Sequence, residues 1–208
     1  MTRTYDSQTR RRRQAELKAR IAQAAAALHA EKGASATSYA DIAAAAAVSL
    51  PTVYAHFPTQ RELLEGCTAH VAANAPALPA EATLAQTDLP AAAALLASAA
   101  EARHLHYEPW LAWREDRVIP FLAEMSSGGR DALSAFIARV LRRQLGPGDH
   151  REAIAAWESL LSFDFWHRLA REHRLPRAAV RRVIVQGLLA AAMPRAASKT
   201  RHTSRRKP

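Results

Sequence analysis

Between Gly33 and Glu62 the chain stops a helix and starts a new one three times. Upstream, the apolar positions Leu17, Ile21, Ala24, Ala25 and Leu28 recur at helical spacing, and the run closes on Lys32 and Gly33, a cation in the last turn followed by a glycine stop. Ser38-Tyr39-Ala40-Asp41 is a Ser-x-x-Asp variant of the capping box. It opens a second helix, ending near Ala47, that turns Tyr39, Ile42, Ala43 and Ala46 inward. Ser49 caps a third helix, Leu50 to His56, with Pro51 in the first turn where its missing N–H costs nothing. Thr59-Gln60-Arg61-Glu62 reads as a full capping box for a fourth helix, bearing Leu63, Leu64, Cys67 and Val71 and stopped by Pro76 and Pro79. Two short helices therefore flank a tight turn.

Composition extends the helical preference to the rest of the chain. Of 208 residues, 49 are alanine against 7 glycine and 11 proline, and no stretch alternates Val, Ile or Thr with polar residues. The expectation is an all-α protein. With 49% hydrophobic and 23% charged residues, the chain can bury a core and is neither disordered nor membrane-embedded. No run approaches the roughly 20 apolar residues of a membrane span. The passage from Arg10 through Ala30 is too alanine-rich, and too interrupted by Glu16, Lys18 and Arg20, for a secretory signal. A single cysteine, Cys67, excludes an internal disulfide and a Cys-based zinc cage, and fits a reducing cytoplasm.

A helix, a short helix, a turn and a second short helix within about 50 residues form the layout of a helix-turn-helix DNA-binding unit. The second short helix reads as the recognition helix, because a helix of this size fits the major groove and offers its first turn to base edges. Ser49, Leu50, Pro51, Thr52, Tyr54 and His56 are its candidate contacts, while Val53 and Phe57 face the core. Leu50 and Pro51 can offer only apolar contact, to thymine methyl groups.

The run from Leu17 to Leu64, with Glu31-Lys32-Gly33, Thr37-Ser38, Asp41-Ile42-Ala43, Val48-Ser49, Thr52-Val53-Tyr54 and His56-Phe57, resembles the N-terminal domain of the tetracycline-repressor (TetR) family of bacterial regulators. The resemblance implies that Thr52, Tyr54 and His56 meet phosphates or bases, with Ser38 at the start of the preceding helix. Two positions depart from the family pattern: Ala40 stands where a long polar residue is common, and Gln60 where a lysine is usual. Gln60 and Arg61 can still donate to a phosphate, helped by the helix dipole. The turn residue Ala47 replaces a common glycine, implying a backbone that is not strictly left-handed or is mildly strained.

Charge is concentrated at the ends. Residues 1–20 carry +5 and 193–208 carry +6, leaving −1 on everything between and +10 in all. Basic ends on a near-neutral body suggest a polyanionic partner. Arg10, Arg11, Arg12 and Arg13 read as a flexible arm that enters the minor groove or neutralises phosphates.

Beyond residue 80 the pattern stays helical but carries no comparable motif. Helices are expected from Asp88 to about Tyr107, again near Trp110 after Pro109, from Asp131 to Leu145, from an Asp149-initiated capping box to about His173, and from Pro176 to about Ala192, with Ser126–Gly129 as a loop and Gly146-Pro147-Gly148 as a break. Nine of thirteen aromatics lie between residues 100 and 170. His104, Tyr107, Trp110, Trp113, Phe136, Trp157 and Trp166 are candidates to line a pocket for a small apolar or flat ligand. The last two helices are apolar on more than one face and call for a second burying surface. The family's usual dimer, a four-helix bundle from the last two helices of each subunit, implies an interface of Trp157, Leu161, Phe165, Val180, Ile184, Gly187, Leu188 and Ala191.

Glu101 and His104 have the Glu-x-x-His spacing of di-iron bundles, but one such pair is too few for a metal site. No catalytic motif appears, so neither an enzyme nor a cofactor is expected. The organisation expected is a basic disordered arm (1–15), a three-helix DNA-binding domain (16–66), a helical-bundle regulatory and dimerisation domain (67–192) and a basic disordered tail (193–208). It describes a cytoplasmic homodimer, most simply a repressor leaving a palindromic operator when an effector binds. A regulator whose C-terminal part binds a protein partner is the alternative.

Overall fold

The computed structural model describes residues 2–193, and the basic tail from residue 194 onward lies outside them. Among the described residues the fold is all-α, with no strand. The helices are α1 (Thr2–Lys32), α2 (Tyr39–Ala45), α3 (Leu50–His56), α4 (Gln60–Ala73), α5 (Ala80–Leu84), α6 (Leu89–Leu111), α7 (Pro120–Leu145), α8 (Arg151–Leu160), α9 (Phe163–His167) and α10 (Arg177–Ala192). A 3-10 turn (Glu115–Arg117) precedes α7, and a π-helical turn (Arg168–Glu172) follows α9.

Two apolar cores form. The first gathers Ile21, Ala25 and Ala26 of α1, Ile42 and Ala43 of α2, Val53 and Phe57 around α3, and Leu63, Leu64, Cys67 and Val71 of α4. The second gathers Ala92, Ala93, Leu96 and Ala97 of α6, Ile137, Val140 and Leu141 of α7, Trp157 of α8, Trp166 of α9, and Val180, Ile184 and Leu188 of α10. The single helix α6 reaches both: its N-terminal half lies in the second core, while Tyr107 and Trp110 pack on the first. At about 1.5 Å per residue, its 23 residues make a strut of roughly 34 Å between them.

Several elements depart from the sequence expectation. Helix α1 begins at Thr2, so Arg10 to Arg13 stand on a helix and not on an irregular arm. The run TRTYDSQTRRRRQAELK contains neither Gly nor Pro, and nothing in it interrupts propagation from the packed half of α1. Pro109 lies inside α6, where only the last turn loses a backbone bond. That turn is held instead by Trp110 Nε1, which donates to the Ala26 carbonyl at 2.8 Å.

Ser126–Gly129 is helical within α7, although a Cβ built on Gly128 or Gly129 would touch nothing. Phe121 anchors one end of α7 on the first core and Ile137 the other on the second. Continuing the helix between these anchors costs only about 1 kcal/mol per glycine. The Asp149 capping box does not form, because Arg151 takes both carboxylate oxygens. The helix that starts there stops at Leu160, and Ser162 Oγ accepts from the Phe165 N–H to start α9. This bend lets Trp157 and Trp166 both be buried.

Candidate nucleic-acid interface

The α2-turn-α3 unit is built from local capping. Ser38 Oγ accepts from the Asp41 N–H at 3.1 Å, and the Asp41 carboxylate accepts from the Ser38 N–H at 2.9 Å, so the expected capping box is complete. Lys32 donates to Asp41 at 2.8 Å, tying the end of α1 to the start of α2. That hydrogen bond and those from Ser38 hold the Asp41 carboxyl below its usual range. The Val48 N–H reaches the Ala43 carbonyl at 3.0 Å and the Ala47 N–H the Ala44 carbonyl at 3.1 Å, the paired bonds of a Schellman motif. Ala47 occupies the left-handed region, at φ 51°. Of the two implications drawn for Ala47, strain is the one present.

Ser49 Oγ accepts from the Thr52 N–H at 3.3 Å and shares a 2.7 Å hydrogen bond with the Thr52 hydroxyl, so α3 starts where its cap predicts. Val53 and Phe57 are wholly buried, whereas Leu50 and Tyr54 are 39% and 50% exposed. Ser49 and Pro51 are exposed too, with Thr52 and His56 partly covered. The Tyr54 ring stacks on Tyr39 of α2, 4.6 Å between centroids and 14° from parallel. Burial, with Tyr54 and Glu62 nearby, raises the Tyr39 hydroxyl above its usual range.

Helix α4 closes the unit. Thr59 Oγ1 accepts from the Glu62 N–H at 3.2 Å, which is one half of the expected box. Gly66, which the sequence pattern does not single out, leaves room for Phe57: a Cβ there would stand 2.6 Å from the ring. His29 and Cys67 are buried side by side, Nδ1 to Sγ 3.5 Å, and burial raises the thiol to about 12, so it is inert.

Residues 21–67 match the family model described as bacterial regulatory proteins, tetR family. This stretch is similar to the DNA-binding domain of TetR-family regulators. No curated protein matches the chain. The TetR domain supports a helix-turn-helix DNA-binding regulator of transcription.

Around the TetR domain, several candidate side chains have partners that spacing alone does not show. Arg61 donates to Glu65 at 3.1 Å and to Glu124 of α7 at 3.0 Å, with its guanidinium over the Phe121 ring. An expected phosphate donor is thus engaged within the chain, while Gln60 beside it is exposed. Glu115, ahead of α7, accepts from the Ala34 and Ser35 N–H groups at 2.7 Å each, where α1 ends at the left-handed Gly33. Burial pushes its carboxyl up, and these backbone bonds outweigh it, leaving the group below its usual range.

The seven pocket candidates are dispersed. Tyr107 and Trp110 pack on the TetR core, and Trp113 donates to the Ala30 carbonyl at 3.1 Å, so these three dock the end of α6 and the turn after it onto α1. Trp157 is fully buried and donates to the Leu188 carbonyl, while Trp166 and Phe136 belong to the second core. His104 lies beside Phe163 and Trp166 and donates Nε2–H to the Leu161 carbonyl at 3.0 Å. Glu101, three residues earlier, is buried and paired with Arg177 at 3.0 Å and Arg181 at 3.6 Å, so carboxylate and imidazole are each engaged with the protein.

Most of the interface candidates sit inside the subunit. Trp157, Leu161, Val180, Ile184 and Leu188 are buried in the chain's own core. Gly187 marks a close crossing within the chain: a Cβ there would meet Leu160 of α8 at 3.0 Å. Phe165 and Ala191 are partly buried against the same core. Much of the apolar surface of these helices is covered by α6 and by one another, while Val183 on the outward side of α10 stays exposed.

Proposed function

We propose that this regulator is a homodimeric repressor, its two α3 helices reading the half-sites of a palindromic operator and a small molecule releasing it. The observation that carries the reading is α3 itself. Its inward residues are sealed, while Leu50 and Pro51 of its first turn are exposed and Tyr54, stacked on Tyr39, keeps half of its surface open, on the face where a major-groove helix meets base edges. Ser38, Ser49, Leu50, Pro51, Thr52, Tyr54, His56 and Gln60 form the proposed contact set, with the division into a DNA-binding and a regulatory part near residue 66 and a cytoplasmic site of action. No described helix is long and apolar enough to cross a membrane.

Release by an effector is a population shift, as large as the effector's preference for the non-binding conformation. The regulatory part would supply its site, for an apolar or flat molecule. The close packing of Trp157 and Trp166 favours the second reading, in which this part binds a protein. A thermal-shift screen separates them, because a ligand of the folded state raises its apparent stability and a set of compounds without effect points to a protein partner.

Sequencing the DNA that the purified protein retains from random fragments tests the central reading, with a palindromic site as the expected outcome and no enriched sequence as the refuting one. On that site Tyr54→Ala should weaken binding by about 1 to 3 kcal/mol while the fold stays cooperative. Undiminished affinity in a folded variant would remove Tyr54 from the contact set.

A further inference from the structure

Helix α1 carries charge where it no longer has protein to pack against. Its inward stripe, Leu17, Ile21, Ala25 and Leu28, continues toward the N-terminus through Gln14, Arg13 and Arg10 at the same helical phase. Leu17 packs on the TetR core, whereas Arg10 and Arg13, on the same face of α1, are exposed. The other two arginines differ. Arg12 is paired with Glu16 at 2.8 Å, and Arg11 lies about 100° around the helix from Arg10.

The direction of this overhang follows from two contacts. The Lys18 ammonium lies 5.1 Å from the Phe57 ring centre at the α3–α4 turn, and His29 lies 3.5 Å from Cys67, two turns into α4. Helices α1 and α4 therefore run in the same sense. Arg13 and Arg10 lie about 7.5 and 12 Å beyond Lys18 at 1.5 Å per residue, past the end of α3 and the start of α4. That is the end of the domain at which Gln60 stands exposed.

We infer that the N-terminal turns of α1 are a rigid clamp for the phosphate backbone of duplex DNA, with Arg10 and Arg13 as its donors. The inference rests on the DNA-binding reading above and replaces the flexible arm. A helix about 10–12 Å across cannot enter a minor groove about 6 Å wide. It can lie along the backbone, where two arginines on one face meet phosphates without reading sequence.

The test uses the full chain and a mixed-sequence DNA duplex several helical turns long, with affinity measured against salt concentration. The double variant Arg10→Gln, Arg13→Gln should flatten the log–log slope by about 1.8, since each phosphate that a cation ceases to neutralise takes away about 0.9. Arg11→Gln should leave the slope unchanged. Ala15→Pro, which breaks the helix between the arginines and the packed half of α1, should flatten it as the double variant does, with unfolding by circular dichroism confirming that the domain stays folded. An unchanged slope in the double variant overturns the clamp. An equal loss from Arg11→Gln, or no effect of Ala15→Pro, restores a flexible arm and overturns it too. A wild-type chain that binds no duplex at low salt defeats the DNA-binding reading itself, a result distinct from the others.

Discussion

At the scale of single residues, two positions hold the chain away from its intrinsic preference. Ala47 sits at φ 51° in the turn between α2 and α3. A left-handed L-residue costs about 1–2 kcal/mol, and glycine gives back about 0.5–1 in unfolded-state entropy. Ala47→Gly should therefore stabilise the chain by about 0.5–1 kcal/mol and raise Tm by about 1–3 °C in calorimetry. His104 is the second position. Burial lowers its pKa to about 4 from the ordinary 6.5, against the hydrogen bond to the Leu161 carbonyl. The unfolded chain then binds the proton more tightly than the folded one. Stability is present in full above pH 6.5 and is lost as pH falls toward 4, by about 3 kcal/mol at most. His29, also lowered by burial, adds to the loss in the same direction. Denaturant unfolding at about pH 7 and about pH 4.5 should show a drop that is smaller in His104→Gln. An equal drop in that variant would place the pH dependence elsewhere.

At the scale of elements, the joint between the two cores is made by the end of α6 and the turn before α7. Trp110 and Trp113 donate to carbonyls of α1, Glu115 accepts from the two amides after Gly33, and Glu124 meets Arg61. Glu115 is the tightest of these, because a carboxylate receiving two N–H groups makes charge-assisted bonds. Glu115→Ala should raise amide exchange at Ala34 and Ser35 by an order of magnitude or more, since about 1.4 kcal/mol of lost protection is a tenfold change. Unchanged exchange at both amides would mean that the loop after α1 holds its shape unaided.

At the scale of the whole molecule, the dimer proposed for operator binding must use a face that the subunit leaves open. The inward side of α10 is spent on α6 and α8. Its outward side carries Val183, 36% exposed, with Gln186 and Ala190 on the same face. Half-sites about 34–36 Å apart, or a multiple of it, demand two subunits held in register. Wild-type protein should sediment as a dimer and Val183→Glu as a monomer, because a charge in an apolar interface costs several kcal/mol while the outward position spares the fold. A Val183→Glu dimer would move the interface off this face.

What the sequence by itself determines here is local. Caps at Ser38, Ser49 and Ser162, the inward phase of Val53 and Phe57, and the stops at Gly33 and Gly146 all depend on neighbours within a few residues, and three of these set the helix-turn-helix. The Ser162 cap shows the limit of such reading: its chemistry is local, yet a long apolar pattern running through it reads as one helix. Only tertiary structure decides where an apolar helix face goes. Trp157 and Leu188 have the pattern of an intermolecular seam and fill an intramolecular core, since hydrophobic burial is non-directional and any apolar surface satisfies it. The same reason hides the partners of Arg61 and Glu115, which lie 63 and 80 or more residues away in the chain. Spacing along a helix shows which way a side chain faces; the charge waiting on the other side belongs to the fold.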